Sequence, residues 1–189
     1  MVRTWIENLT SSDPKVKYAA VRQLLEVAEI RPADLEIHLS LWIELLDSDN
    51  NILKWMATDI IGALASIDSD NRIDAVLPKI GLLLSSDKLP TKCHAIQSLG
   101  RIAAHKEHLR EQILNSLFAV SKHAYKNETC KQIALGKVLS VFIEELSSYL
   151  TTGSTMDTFI NEVLDNPTKT NKNKAEQLRK FLFEQADKH

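Results

Sequence analysis

Six residues with ligand chemistry fall within one 38-residue stretch: Cys93, His94, His105, His108, His123 and Cys130. Thiolates and imidazoles hold zinc-type metals, and two ligands three residues apart on a helix, such as His105 and His108, share a face. The stretch has no CxxC pair and no HExxH. Histidines beside a turn are ordinarily solvated, and a lone Cys93 is ordinarily a packed structural residue. No metal is therefore expected. Among carboxylates, Glu144-Glu145 and Glu107/Glu111 are spaced as on solvated helix faces, and Asp59 with Trp55 is the one local pairing of an acid with an aromatic. A glycine-rich phosphate loop, a GxSxG elbow and a kinase-type set are all lacking. The expectation is a non-enzyme without a cofactor.

A different pattern is periodic. Lys17, Lys54, Lys92 and Lys131 recur at intervals of 37, 38 and 39 residues. A ladder of lysines could track a phosphate backbone. It could equally be structural, pairing with turn aspartates, since each lysine stands three residues before an alanine and about 60° from it on a helical wheel. The alanines are Ala20, Ala57, Ala95 and Ala134, and each is followed at fixed offsets by two aliphatics: Leu24 and Val27, Ile61 and Leu64, Leu99 and Ile102, Val138 and Val141. Steps of three and four mark one face of a helix. The alanine permits close approach of a neighbouring helix, and each aliphatic contributes about 1.5–3 kcal/mol if fully buried.

The positions two before and two after each alanine lie about 160° away, on the opposite face. The expected partner-binding ridge comprises Tyr18, Arg22, Trp55, Asp59 and Gln97 at these positions and Arg101 one turn beyond Gln97, with Cys93, Gln132 and Gly136 in the same register. Aromatics and arginine dominate binding hot spots. The row differs from copy to copy, as partner specificity requires.

These faces need helices to carry them. A second apolar segment precedes each alanine-bearing helix: Trp5 to Leu9, Leu35 to Leu46, Ile73 to Leu84 and Leu109 to Val120. Polar turns such as Ser11-Ser12-Asp13-Pro14 follow, with Asp as N-cap and Pro14 in the first turn. The unit is helix, turn, helix, and copies must stack because one pair cannot bury both its faces. Beyond about residue 143 the pattern loosens. A helix is expected over Met156 to Leu164, a polar connector over Thr168 to Lys174 and a last helix over Lys174 to Gln185, possessing Leu178, Phe181 and Leu182 on one face and a weaker fifth copy from Ala175.

The segment from Asp13 to Leu25, with Val16-Lys17, Ala19-Ala20 and Leu24-Leu25, resembles the second helix of a HEAT repeat, and Val76-Leu77-Pro78-Lys79-Ile80 resembles the proline-bearing first helix. The resemblance covers about residues 5–142. It implies an all-α, right-handed α-α superhelix of about four HEAT-like (armadillo-like) helix pairs with a C-terminal helical cap, divided as 1–146 for the array and 147–189 for the capping helices. It implies a scaffold or adaptor that binds another protein along the concave ridge of second helices. Some members of the family bind nucleic acid, and a few act as DNA glycosylases or bilin lyases. A glycosylase-type site would need acid and aromatics converging in a basic groove, whereas Asp59 and Trp55 lie in an acidic stretch.

Composition agrees with a soluble repeat protein. The 189 residues carry 23 Lys plus Arg and 25 Asp plus Glu, for a formal charge of −2, with only 5 Gly and 5 Pro. That balance disfavours a dedicated nucleic-acid binder, and two cysteines suggest a reducing compartment. No signal peptide or membrane segment is visible, so the expectation is a cytoplasmic protein, monomeric, with no membrane partner. Charge is banded: residues 26–87 hold a net −8, residues 88–140 a net +6, and residues 141–165 five acids and no base. The basic block and the lysine ladder together are the best candidate for a nucleic-acid contact.

Overall fold

A computed structural model describes residues 1–186. Among them the chain forms eleven α-helices and three short 3-10 turns, arranged as an α-solenoid. The second helices of the units are α2 (Pro14–Ile30), α5 (Asn51–Leu64), α7 (Leu89–His105), α9 (Glu128–Glu144) and α11 (Lys169–Ala186). They pack in sequence, α2 on α5, α5 on α7, α7 on α9 and α9 on α11. The first helices are α1 (Val2–Asn8), the pair α3 (Ala33–Glu36) and α4 (Leu39–Leu45), α6 (Leu77–Leu83), α8 (Glu107–Ala119) and α10 (Ser154–Leu164).

The alanine register is the seam. Ala20, Ala57, Ala95 and Ala134 are all buried, as are the two aliphatics that follow each of them. N-caps set where the second helices start. Asp13 accepts a hydrogen bond from the Lys15 N–H, Asn50 from Ile52 and Leu53, Asn127 from Cys130, and the Thr168 hydroxyl from Asn171; each such cap is worth about 1 kcal/mol. Lys88 stands in this position before α7 and caps nothing with its side chain.

Two first helices are shorter than the apolar pattern suggests. The segment from Leu35 to Leu46 breaks at Ile37-His38, and Trp42 closes the break by donating from its indole N–H to the Leu35 carbonyl at 2.9 Å while fully buried. The segment from Ile73 begins as a 3-10 turn, and Pro78 sits in the first turn of α6, starting that helix rather than kinking it.

The expected connector from Thr168 to Lys174 is instead the first turns of α11. Asn171 there is buried and donates to the carbonyl and side-chain oxygens of Gln132 at 2.7 and 2.8 Å. Buried amides of this kind hide a helix start from a reading by polarity. Ala175, Leu178 and Leu182 are buried below it, and α10 packs beside α11 as a further helix pair. Phe118, Phe142 and Phe159, with centroids 5.2–5.7 Å apart, fasten α8, α9 and α10 together; such aromatic pairs add about 0.5–1.5 kcal/mol each beyond burial.

Candidate binding groove

The second helices place one side chain after another into a groove of about 550 Å³. Glu29 comes from α2, Asp59 from α5, Cys93, His94, Gln97 and Arg101 from α7, and Lys137 and Glu144 from α9, with Glu145 at its end. Arg101 is the centre of this surface. Its guanidinium donates to Glu29 Oε1 at 2.6 Å and lies 4.0 Å from Glu145 Oε1. Gln97 donates to Glu145 at 3.0 Å. The Arg101–Glu29 bond joins α7 to α2 across the intervening α5. Four carboxylates against two permanent cations leave the groove acidic.

Of the ridge expected from the sequence, Asp59, Gln97 and Arg101 meet in this groove. Trp55 does not face it openly. It is half-buried, donates from its indole N–H to Thr91 Oγ1 at 2.7 Å and stacks on His94 with centroids 5.4 Å apart. His94 Nδ1 in turn lies 2.8 Å from Asp59 Oδ2, while Asp59 Oδ1 is buried without a partner among the described residues. Trp55 thus backs the groove wall. Tyr18 is half-buried against the core, and Arg22 is exposed on α2 outside the groove. In the fourth copy the same register is covered: Gln132 and Gly136 lie under α11. Glu29, His94, Lys137, Glu144 and Glu145 were not reached by counting two residues either side of the alanine. Glu29 stands nine residues beyond Ala20, at about 180° on the wheel, so following the stripe to the helix ends finds it.

The lysine ladder divides. Lys17, Lys54 and Lys131 are half-buried, and none of the four lysines joins an ion pair among the described residues. Lys92 is 2% exposed, and its ammonium lies 4.1 Å from the centroid of the Tyr125 ring. Burial pushes that ammonium below its ordinary pKa, with the neighbouring Cys93 opposing. A desolvated cation–π contact is worth about 2 kcal/mol, whereas burying an ion costs several kcal/mol. Burial also pushes the Cys93 thiol up, against the pull of Lys137 and Lys92, so it is not an activated nucleophile.

The ladder of polar contacts between repeats runs elsewhere, through partners one unit apart. Arg72 pairs with Glu36, Lys79 with Asp47 at 2.6 Å, His108 with Asp74 at 2.6 Å, and Lys106 with Asp68 at 3.0 Å. His123 reaches the Leu84 carbonyl at 3.0 Å. Acids of residues 26–87 also face cations or histidines of residues 88–140, across one repeat boundary at Asp68–Lys106, Asp59–His94 and Asp74–His108 and across two at Glu29–Arg101. His94, His108 and His123 are therefore spent on carboxylates and a carbonyl, and no group of three or more metal-ligating side chains occurs among the described residues. No described helix is long and apolar enough to cross a membrane.

No protein-family model and no curated protein matches the chain. Solved structures do. A crystal structure of an engineered protein covers 97% of this chain and 79% of its own, with a TM-score of 0.58 at 16% identity. A second engineered protein covers 96% of this chain and 98% of its own, with a TM-score of 0.57 at 17% identity. Identities this low speak to the fold alone. A designed armadillo repeat protein overlays with a TM-score of 0.34, too loosely to argue from.

Proposed function

We propose that this chain is a non-catalytic HEAT-type scaffold that binds a segment of another protein along the groove of second helices. One observation carries the reading: four successive second helices each contribute different side chains to a single groove, and inter-repeat bonds hold Glu29, Asp59, His94, Gln97, Arg101 and Glu145 in place. Pre-positioned groups spend little entropy on binding. The excess of carboxylates fits a segment bearing Lys or Arg, because complementary potentials set orientation and exclude wrong partners. Within this reading residues 1–146 form the binding array and residues 147–189 cap it. The half-buried, unpaired Cys93 and Cys130 suit a reducing compartment such as the cytoplasm.

The test is capture from cell lysate on the immobilised protein, with and without nuclease, read by mass spectrometry. The groove variant carries Asp59→Lys and Glu144→Lys; the control carries Gln112→Lys, exposed on α8. Proteins retained after nuclease, lost with the groove variant and kept by the control are the expected result. Capture that ignores the groove variant removes the groove. Capture abolished by nuclease moves the basic block and the lysines to the front.

A further inference from the structure

A second cavity, of about 640 Å³, opens where α7 begins. Lys88, Lys92 and Lys126 line it, together with Ser86, Tyr125 and the acid Asp87. Its volume is in the range of small-molecule sites. Two independent features converge on it. First, α7 is a 17-residue helix whose N-cap is a lysine without a capping hydrogen bond, where α2, α5, α9 and α11 are capped by Asp13, Asn50, Asn127 and Thr168. Its first-turn amides and positive dipole end are left to an external acceptor, apart from Pro90, which has no N–H. Second, Lys92 is 2% exposed, lines the cavity, and has neither an ion pair nor a hydrogen-bond acceptor among the described residues.

The Tyr125 ring offers Lys92 an aromatic face but no negative charge. That ring is fixed in place, since its hydroxyl donates to the Val120 carbonyl at 2.7 Å. Burial lowers the pKa of Lys92 as it would for a cation whose anion is missing. Asp87 does not supply that anion: it is exposed and lies 3.2 Å from Lys88 instead. The Ser86 hydroxyl oxygen accepts the Lys88 N–H, which leaves its own proton free to donate.

We propose that this cavity binds a phosphoryl group, with Lys92 as its buried counter-charge and the first turn of α7 as its amide cradle. Three lysines against one acid match a doubly charged oxyanion better than a single carboxylate. Lysine ammoniums act as point charges toward phosphate, and helix N-termini accept the same group. The oxyanion is either free phosphate or the head of a phosphomonoester, for which the cavity has room.

Isothermal titration of the full chain with inorganic phosphate, with glycerol phosphate and with acetate at equal ionic strength tests this. Saturable 1:1 phosphate binding is expected, weakened at least tenfold by Lys92→Met and unchanged by Lys180→Ala on α11. Tighter binding of glycerol phosphate assigns the site to an ester, and equal or weaker binding assigns it to free phosphate; both support it. Acetate binding as tightly as phosphate, no saturable binding, or full affinity in a folded Lys92→Met variant overturns it. Should Lys92→Met fail to fold, the exposed pair Lys88→Gln and Lys126→Gln takes its place. Undiminished affinity in that variant overturns the site equally.

Discussion

Among the described residues, Asp68 is the one fully buried acid, and its surroundings are built to keep it charged. Burial by itself raises its pKa; hydrogen bonds from the Ile73 N–H, the Lys106 ammonium and the Arg72 N–H, with the Lys106 charge, outweigh that and hold it below the ordinary carboxylate value. Lys106 also donates to the Asp68 carbonyl and to Asn71 Oδ1, the latter at 2.8 Å, on a residue in the left-handed region with φ 55°. Breaking such a pair strands a buried charge, so Lys106→Met is expected to cost about 3–5 kcal/mol in urea denaturation. Lys92→Met should differ in sign or size. It removes a buried cation that has no carboxylate, and without added anion it is expected to leave stability undiminished. The Asp68 carboxylate adds a pH signature. A depressed folded pKa contributes stability that is present above the unfolded value near 3.8 and is lost as pH falls through the folded value. Urea midpoints measured from pH 7 down to pH 3 should therefore decline more shallowly for Asp68→Asn than for the parent.

At the scale of elements, small residues decide how closely the second helices approach. A Cβ on Gly62 would lie 2.9 Å from the Ser98 Cα on α7, so the backbones themselves would have to part. Gly62→Ala is expected to cost about 1–3 kcal/mol by overpacking. Gly81 in α6 is the contrast, with nothing within 4 Å of the same position. There Gly81→Ala should stabilise by about 0.5–1 kcal/mol, because alanine loses less entropy in a helix. Thermal melts of both variants check the pair. This level was largely legible in the chain: alanine spacing, aliphatic offsets and the cap Asp13 marked the second helices, whereas the caps Asn50 and Asn127 emerge from the structure. What was not legible is how one helix is rotated and slid against the next. That offset decides whether Trp55 faces a partner or tucks onto His94, and whether Lys92 is solvated or roofed by Tyr125. Hence Asp59, Gln97 and Arg101 could be read from a helical wheel, and Glu29 by following its stripe to the end of α2, whereas Glu145, which meets Arg101 from the end of α9, could not.

For the molecule as a whole, a stack in which each unit touches its neighbours gains stability from the interior outward. α1 has no buried residue, whereas α5 and α7 are buried along much of their lengths between neighbours on both sides. Amide hydrogen exchange should accordingly be fastest in α1 and slowest in α5 and α7; uniform protection across all three would mean that the array opens only as one block. The Arg101–Glu29 bond complicates a strictly stepwise picture. It ties the first unit to the third across the second, at side-chain exposures of 24% and 57%. As an exposed pair it is worth about 0–1 kcal/mol and is screened by salt. In the language of a one-dimensional lattice it is a weak second-neighbour coupling added to strong first-neighbour ones. Such a bond does not set the ground state, but it lengthens the distance over which one unit's opening is felt. Ionic strength then becomes a dial on cooperativity: low salt should sharpen the unfolding transition of the first three units, and Arg101→Gln should remove most of that dependence.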